Sequence, residues 1–216
     1  MTTVKSFEFN DFSENTYILH DETRACVIID PGCFYQEERD KLVAYIAQHQ
    51  LKPKRLLLTH AHLDHVFGNQ FVSDTYGLLP EMHLKEVPVL ERYIPACQMY
   101  GVHGAQPSPD AGRFIEVGEV ITFGNTRLET IFTPGHSPGS LTFYCRESGF
   151  AIVGDVLFKD SVGRSDLPGG HHNTLIDSIK TQLFPLGDEV VTYSGHGPST
   201  TIGREKTQNP FLNGEF

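Results

Sequence analysis

Thr59-His60-Ala61-His62-Leu63-Asp64-His65-Val66-Phe67-Gly68 decides how the rest of the chain is read. It sets His60, His62, Asp64 and His65 within six residues, directly after the apolar run Leu56-Leu57-Leu58. On an extended segment, residues two apart point to the same side, so His60 and His62 can converge on one ion. Asp64 and His65 then need a turn, which aims them at a second point nearby. A single histidine here would read as a loop residue, but a cluster this dense reads as a metal site. Imidazole and carboxylate donors without thiolates are more typical of catalytic metal sites than of structural ones.

The chain has 216 residues, enough to bury a substantial core and most simply one domain spanning 1–216. Hydrophobic residues make up 39% and aromatics 11%, as expected of a folded globule. With 17 Lys plus Arg against 27 Asp plus Glu, the formal net charge is −10. Polyanion binding by counterion release needs a basic face, so this balance disfavours nucleic acid. Cys26, Cys33, Cys97 and Cys145 are widely spaced with no Cys-x-x-Cys, which points away from a disulfide framework and toward a reducing compartment. The N-terminus lacks the apolar core of a signal peptide, and no run reaches the length of a membrane span. The expectation is a soluble, cytoplasmic protein.

Alternation predicts strands over Val4 to Phe9, Thr16 to His20 and Ala25 to Asp30. The last ends in Asp30-Pro31-Gly32, where Asp30 either supports the metal site or caps a turn. Glu37 to His49 reads as a helix with Leu42, Val43 and Ile46 on one face, and Lys54 to Thr59 as a short strand delivering the histidine cluster. A strand near Pro80 to Leu84 and a helix around Val87 to Tyr93 follow. The Gly- and Pro-rich segment from Gly101 to Gly112 reads as a surface loop bordering a pocket. Beyond it come strands over Phe114 to Val117, Val120 to Phe123, Arg127 to Phe132, Leu141 to Cys145 and Phe150 to Val153, then a helix over Asn173 to Leu183. The split near Gly112 hints at two related halves.

Three further candidates stand where predicted strands end: His136 in the turn Thr133 to Ser140, Asp155 after Ala151-Ile152-Val153-Gly154, and His196 after Thr192-Tyr193-Ser194-Gly195. In sheets flanked by helices, active sites gather at such ends. His83, His103, His171 and His172 have no donor at ligand spacing and read as loop or surface residues.

With His136, Asp155 and His196 added to the opening cluster, the pattern resembles the metallo-β-lactamase superfamily over nearly the whole chain. The resemblance implies an α+β fold, a four-layer αββα sandwich with metals at one edge. Residue by residue, it implies that His60, His62 and His136 hold a first metal and Asp64, His65 and His196 a second. Asp155 would bridge both, with Asp64 and Asp155 as the catalytic carboxylates. The implied cofactors are two divalent ions, zinc first, with iron or manganese accepted by the same donors. Coordination lowers the pKa of water from about 15.7 to roughly 7, which supplies a nucleophile without a serine or cysteine.

Within the superfamily, Gly154-Asp155-Val156-Leu157-Phe158, the stretch Gly163 to Gly170 and the stretch Gly195 to Gly203 are similar to the short bacterial type of glyoxalase II. The implied reaction is hydrolysis of a small-molecule thioester such as S-lactoylglutathione. Arg164 falls where that group commonly carries a basic residue for a glutathione carboxylate, a task that suits a guanidinium; the alternative is a salt bridge to Asp166 that shapes the loop. Longer glyoxalase II enzymes add a helical C-terminal domain, whereas this sequence ends soon after Phe211, and Asp166 stands where they tend to have tyrosine. Both departures bear on substrate rather than on metal chemistry. A persulfide dioxygenase is the first rival: its single iron takes the equivalents of His60, His136 and Asp155. A lactonase or β-lactamase is the second, and a non-catalytic metal-binding module is a rival of a different class. The sequence is silent on oligomeric state.

Overall fold

The alternation in the first thirty residues produces an antiparallel meander of β1 (Thr3–Phe9), β2 (Glu14–His20) and β3 (Ala25–Ile29). The protein is described by a computed structural model covering residues 1–213. After helix α1 (Gln36–Gln48), strand β4 (Lys52–Leu57) joins β3 in parallel, followed in parallel by β5 (Pro80–Met82) and β6 (Arg113–Phe114). A second six-stranded sheet runs in the order β14 (Thr200–Thr201), β13 (Val191–Ser194), β10 (Phe150–Gly154), β9 (Leu141–Cys145), β8 (Thr126–Phe132), β7 (Val120–Phe123). The hairpin β11 (Leu157–Phe158) and β12 (Ser161–Val162) stands apart from both sheets.

Side-chain alternation along the strands builds the layers. Tyr17, Leu19, Val27, Ile29 and Leu57 face Ile121, Leu128, Phe143 and Ile152 across the inter-sheet core. The alternate residues Ile18, Cys26, Ile28 and Leu56 pack outward on Leu42 and Ile46 of α1 and on Val72 of α3 (Asn69–Tyr76). On the other side, Ala151 and Val153 pack on Leu175 of α6 (His172–Ser178) and Ile202 of α7 (Ile202–Gln208). The result is the four-layer αββα sandwich, with the two sheets dividing near residue 115.

Beyond shifts of one or two residues at strand and helix ends, three expected elements take another form and helix α3 falls where none was expected. The strand expected over Phe114 to Val117 is only β6, because Val117 and Gly118 already turn back, Gly118 N–H bonding Thr130 O. Helix α3 starts at the Gly68 that closes the histidine stretch and ends at Gly77 in left-handed geometry (φ 68°). The helix expected around Val87 to Tyr93 is two short ones, α4 (Val87–Glu91) and α5 (Tyr93–Met99), broken at Arg92. The helix over Asn173 to Leu183 is α6 followed by a wide π-type turn at Ile179–Leu183. Residues 101–112 are an irregular segment as expected. All four cysteines are free and buried. Among the described residues no helix is long and apolar enough to cross a membrane.

Candidate metal centre

Four segments bring donors to the same edge of the two sheets, each at the carboxyl end of a strand. After β4 the chain leaves the sheet at Leu58, places His60 in the loop and enters the single-turn helix α2 (Leu63–Val66), which carries Asp64 and His65. This is the turn that the spacing required, with His62 at its N-cap. His136 comes from the loop after β8, Asp155 follows β10 and His196 follows β13. All seven side chains expected from the sequence to act as donors therefore lie at one place.

The ring nitrogens of His60, His62 and His136 converge: His62 Nδ1 lies 2.8 Å, and His60 Nε2 3.2 Å, from His136 Nε2. Hydrogen bonds on the far side of two of these rings fix their tautomers. His136 Nδ1–H donates to the Arg164 carbonyl at 2.7 Å, so its Nε2 presents a lone pair. The Thr59 hydroxyl gives its proton to Asp30 Oδ2 at 2.5 Å, so it accepts from His60 Nδ1–H at 3.0 Å. His60 Nε2 is then also a lone pair, turned on that of His136. Burial and the neighbouring His65, His62 and His136 push His60 well below its ordinary value, and burial with His136 pushes His62 down to about 3. Burial likewise lowers His136. Neutral imidazoles whose lone pairs face one another at this distance repel unless a cation sits between them, and that is the donor chemistry of a metal site.

The second group, Asp64, His65 and His196, adjoins the first. His65 Nδ1–H donates to Asp30 Oδ2 at 3.1 Å, and His196 Nδ1–H to the Phe12 carbonyl at 3.0 Å, so both Nε2 atoms turn into the site. His196 Nε2 lies 3.1 Å from Asp64 Oδ2. Burial opposes charge on these histidines, but the carboxylates outweigh it: His65 is raised by Asp64 and Asp155, and His196 reaches about 10 through Asp155 and Asp64. Asp155 lies between the groups, its Oδ2 3.6 Å from His136 Nε2 and 3.4 Å from His196 Nε2, its Oδ1 3.5 Å from His65 Nε2. Burial would raise the Asp155 pKa, yet His65 and His196 hold it well below the usual carboxylate range. His65 Nε2 and Asp155 Oδ1 are buried without a hydrogen-bond partner among the described residues, as atoms reserved for a ligand would be. Gly195 keeps this space open, since a Cβ there would meet His65 Cε1 at 2.6 Å and collide with Asp155 Oδ1. The residues present fit two divalent ions.

Asp30 also lies within ligand distance of His60 and His65, but both of its oxygens are engaged by hydrogen bonds. Its Oδ1 accepts from Thr59 N–H at 2.7 Å while Oδ2 takes Thr59 Oγ1 and His65 Nδ1. It does so from a left-handed backbone (φ 49°), a costly conformation for a residue other than glycine and one that clusters at functional sites. Arg164 forms the bidentate pair with Asp166, Nε to Oδ1 at 2.8 Å and NH2 to Oδ2 at 2.9 Å. Both side chains are more than half exposed, and the guanidinium holds Asp166 at about 2. His83 and His171 accept from backbone N–H groups at helix starts, and His103 lines a cavity with Phe12 and Tyr100.

Other residues of this region carry no sequence signal. Buried Glu86 accepts from Ala61 N–H at 2.8 Å with one oxygen and from Ser137 Oγ and Gly139 N–H at 2.6 Å with the other, tying two ligand loops together. Glu14 is fully buried 3.9 Å from His65 Nδ1, and burial raises its pKa well above the ordinary carboxylate value. Asn15 Nδ2 donates to the Ser194 and Gly197 carbonyls, and Tyr17 OH to Ser194 O, which fixes the His196 loop against β2. These contacts join segments far apart in sequence, so no local spacing reveals them.

The match to known proteins agrees with this geometry. The chain is 36% identical over 203 residues to the hydroxyacylglutathione hydrolase GloC of Haemophilus influenzae, covering 94% of each chain. It is 37% identical over 204 residues to the probable metallo-hydrolase YqgX of Bacillus subtilis, covering 93% of this chain and 92% of that protein. Two solved structures superpose with a TM-score of 0.87 at 36% identity. The BLEG-1 B3 metallo-β-lactamase covers 98% of this chain and all of its own, and TTHA1623, in a di-iron-bound form, covers 97% and all of its own. The model of the metallo-β-lactamase superfamily matches residues 9–196, a span that opens within β1 and closes on His196 itself. With its donors carried on the edge of an αββα sandwich, the chain belongs to the metallo-β-lactamase superfamily.

Proposed function

We propose that this metallo-hydrolase cleaves a thioester, of which S-lactoylglutathione is the first to test, with two divalent ions held by His60, His62 and His136 and by Asp64, His65 and His196. The observation that carries the reading is the position of Asp155 between the two groups, within 3.6 Å of His136 on one side and 3.5 Å of His65 on the other. When bound, such a pair of ions supplies Lewis acidity and a water acidic enough to ionise near neutral pH. Zinc is the first expectation, and the di-iron form of TTHA1623 makes iron the second.

The chain's own groups do the rest. Asp155 stays ionised in its buried position, and Asp64 is likewise held below its ordinary value, burial notwithstanding, by His65 and His196. The Thr59, Asp30 and Arg164 contacts keep His60, His65 and His136 in the orientation that turns Nε2 inward. The thiolate leaving group of a thioester has an ordinary pKa near 8.5, so its departure asks for little general acid. Burial of all four cysteines disfavours a cysteine nucleophile, and it pushes Cys26 and Cys33 up to about 12. The name of the Haemophilus relative and the Gly163 to Gly170 stretch favour the thioester over a lactone or lactam.

The test is hydrolysis of S-lactoylglutathione by protein whose zinc, iron and manganese have been quantified, with oxygen uptake followed on glutathione persulfide in parallel. Thiol release without oxygen uptake supports the reading. Oxygen uptake on glutathione persulfide without hydrolysis of S-lactoylglutathione replaces it with the persulfide dioxygenase.

A further inference from the structure

One cavity of about 340 Å³ is lined by His62, Val89, Arg92, Tyr100, Pro138, Leu167 and their neighbours. Apart from His62 and Arg92, its walls are apolar or aromatic. Arg92 stands at the break between α4 and α5, its backbone N–H bonded to Val89 O at 3.1 Å, and the next residue, Tyr93, is buried. The guanidinium makes no ion pair and no side-chain hydrogen bond among the described residues. Glu91, the carboxylate next to it in sequence, lines a separate cavity. Arg164 differs on this point, because both arms of its fork are taken by Asp166.

We infer that Arg92 is a specificity-determining residue that binds the anionic end of the substrate's thiol half, and that this half carries an apolar stem ending in a carboxylate. The inference rests on the thioester reading above. A thioester seated at His62 with its thiol portion along Val89, Pro138 and Leu167 brings a terminal carboxylate to the one free guanidinium of the cavity, where bidentate pairing is available.

The test uses S-lactoyl thioesters of a short series of ω-mercaptoalkanoates and of the matching neutral carboxamides, with metal-loaded wild type, Arg92→Ala, Arg92→Lys and Arg164→Ala. Wild type is expected to prefer the carboxylate at the best stem length by roughly tenfold in kcat/KM, a difference of ~1.4 kcal/mol. Arg92→Ala should erase that preference through KM rather than kcat, Arg92→Lys should keep part of it, and Arg164→Ala should retain it. A preference that survives Arg92→Ala, or one lost only in Arg164→Ala, overturns the inference. Calorimetric binding of the non-hydrolysable thioether carboxylates separates the two readings. Binding that needs Arg92 without any thioester turnover rejects the hydrolase and keeps the carboxylate site, whereas binding indifferent to Arg92 rejects the site.

Discussion

Glu86 is the residue on which the two halves of the first histidine group depend, although it touches no ligand side chain. Burial raises its pKa, and the Ser137 hydroxyl with the Ala61 and Gly139 N–H groups pulls the other way. Removing it in Glu86→Ala leaves three buried donors unpaired, at about 1–3 kcal/mol each. Glu86→Gln keeps one acceptor but turns an amide N–H toward donors on the other side. Both variants should unfold at lower urea concentration and bind metal about 10–100-fold more weakly, read by denaturation and by chelator competition; wild-type metal affinity in Glu86→Gln would mean that the tie does not position the ligands. His60, His62, Asp64 and His65 are legible in the sequence because they are contiguous and only a few residue types can ligate. Glu86, Glu14 and Arg92 are not, because their partners or their cavity come from other segments and a single Glu or Arg is ordinary in any sequence. The two readings open for Arg164 were of equal standing in sequence, since the neighbour that binds it, Asp166, is visible there but the pairing geometry is not.

At the scale of elements, the loop carrying His136 depends on how closely it meets α6. Gly135 has φ 130°, donates its N–H to Ser137 O at 3.2 Å and accepts from His171 N–H at 2.7 Å. A Cβ there would run into the backbone of Leu175, which is fully buried. Gly135→Ala therefore combines a disfavoured φ with a clash against a helix that cannot retreat, and about 1–3 kcal/mol of destabilisation is expected, with His136 displaced. Thermal melting and metal titration should both show loss, and unchanged values in both would mean that the loop adapts without cost. Strands β1 to β4 and β7 to β10 follow from alternation and buried apolar runs. The elements that differ from expectation are the two-residue β6, the pair α4 and α5, and the π-type turn after α6, while α3, begun and ended by glycines, and α7, capped by Thr201 accepting from Arg204 N–H, were not expected at all.

At the scale of the molecule, the sandwich needs the inter-sheet core and both helical layers, and the donors are clustered at one edge where strand ends from both sheets meet. Such a site binds ions in the folded state alone, so binding couples to stability. At free metal of a thousand times Kd the coupling is about 4 kcal/mol for each ion, and stripping the ions with a chelator should lower Tm by roughly 10 °C per ion lost in a chain of this size. A Tm indifferent to chelation would place the ions outside the fold's stability. The overall architecture was legible because the ligand order carries the resemblance to a family with this fold and the strand and helix order agrees with it, while the shape of the cavities is set by packing of segments that no pattern predicts. The central claim is that the seven donors form one dinuclear site, and the most direct measurement is anomalous diffraction at the metal edge from metal-loaded crystals. It should place two ions, one on His60, His62 and His136 and one on Asp64, His65 and His196, with Asp155 in contact with both. A single ion, or one bound instead by Asp30, His60 and His65, would contradict the account.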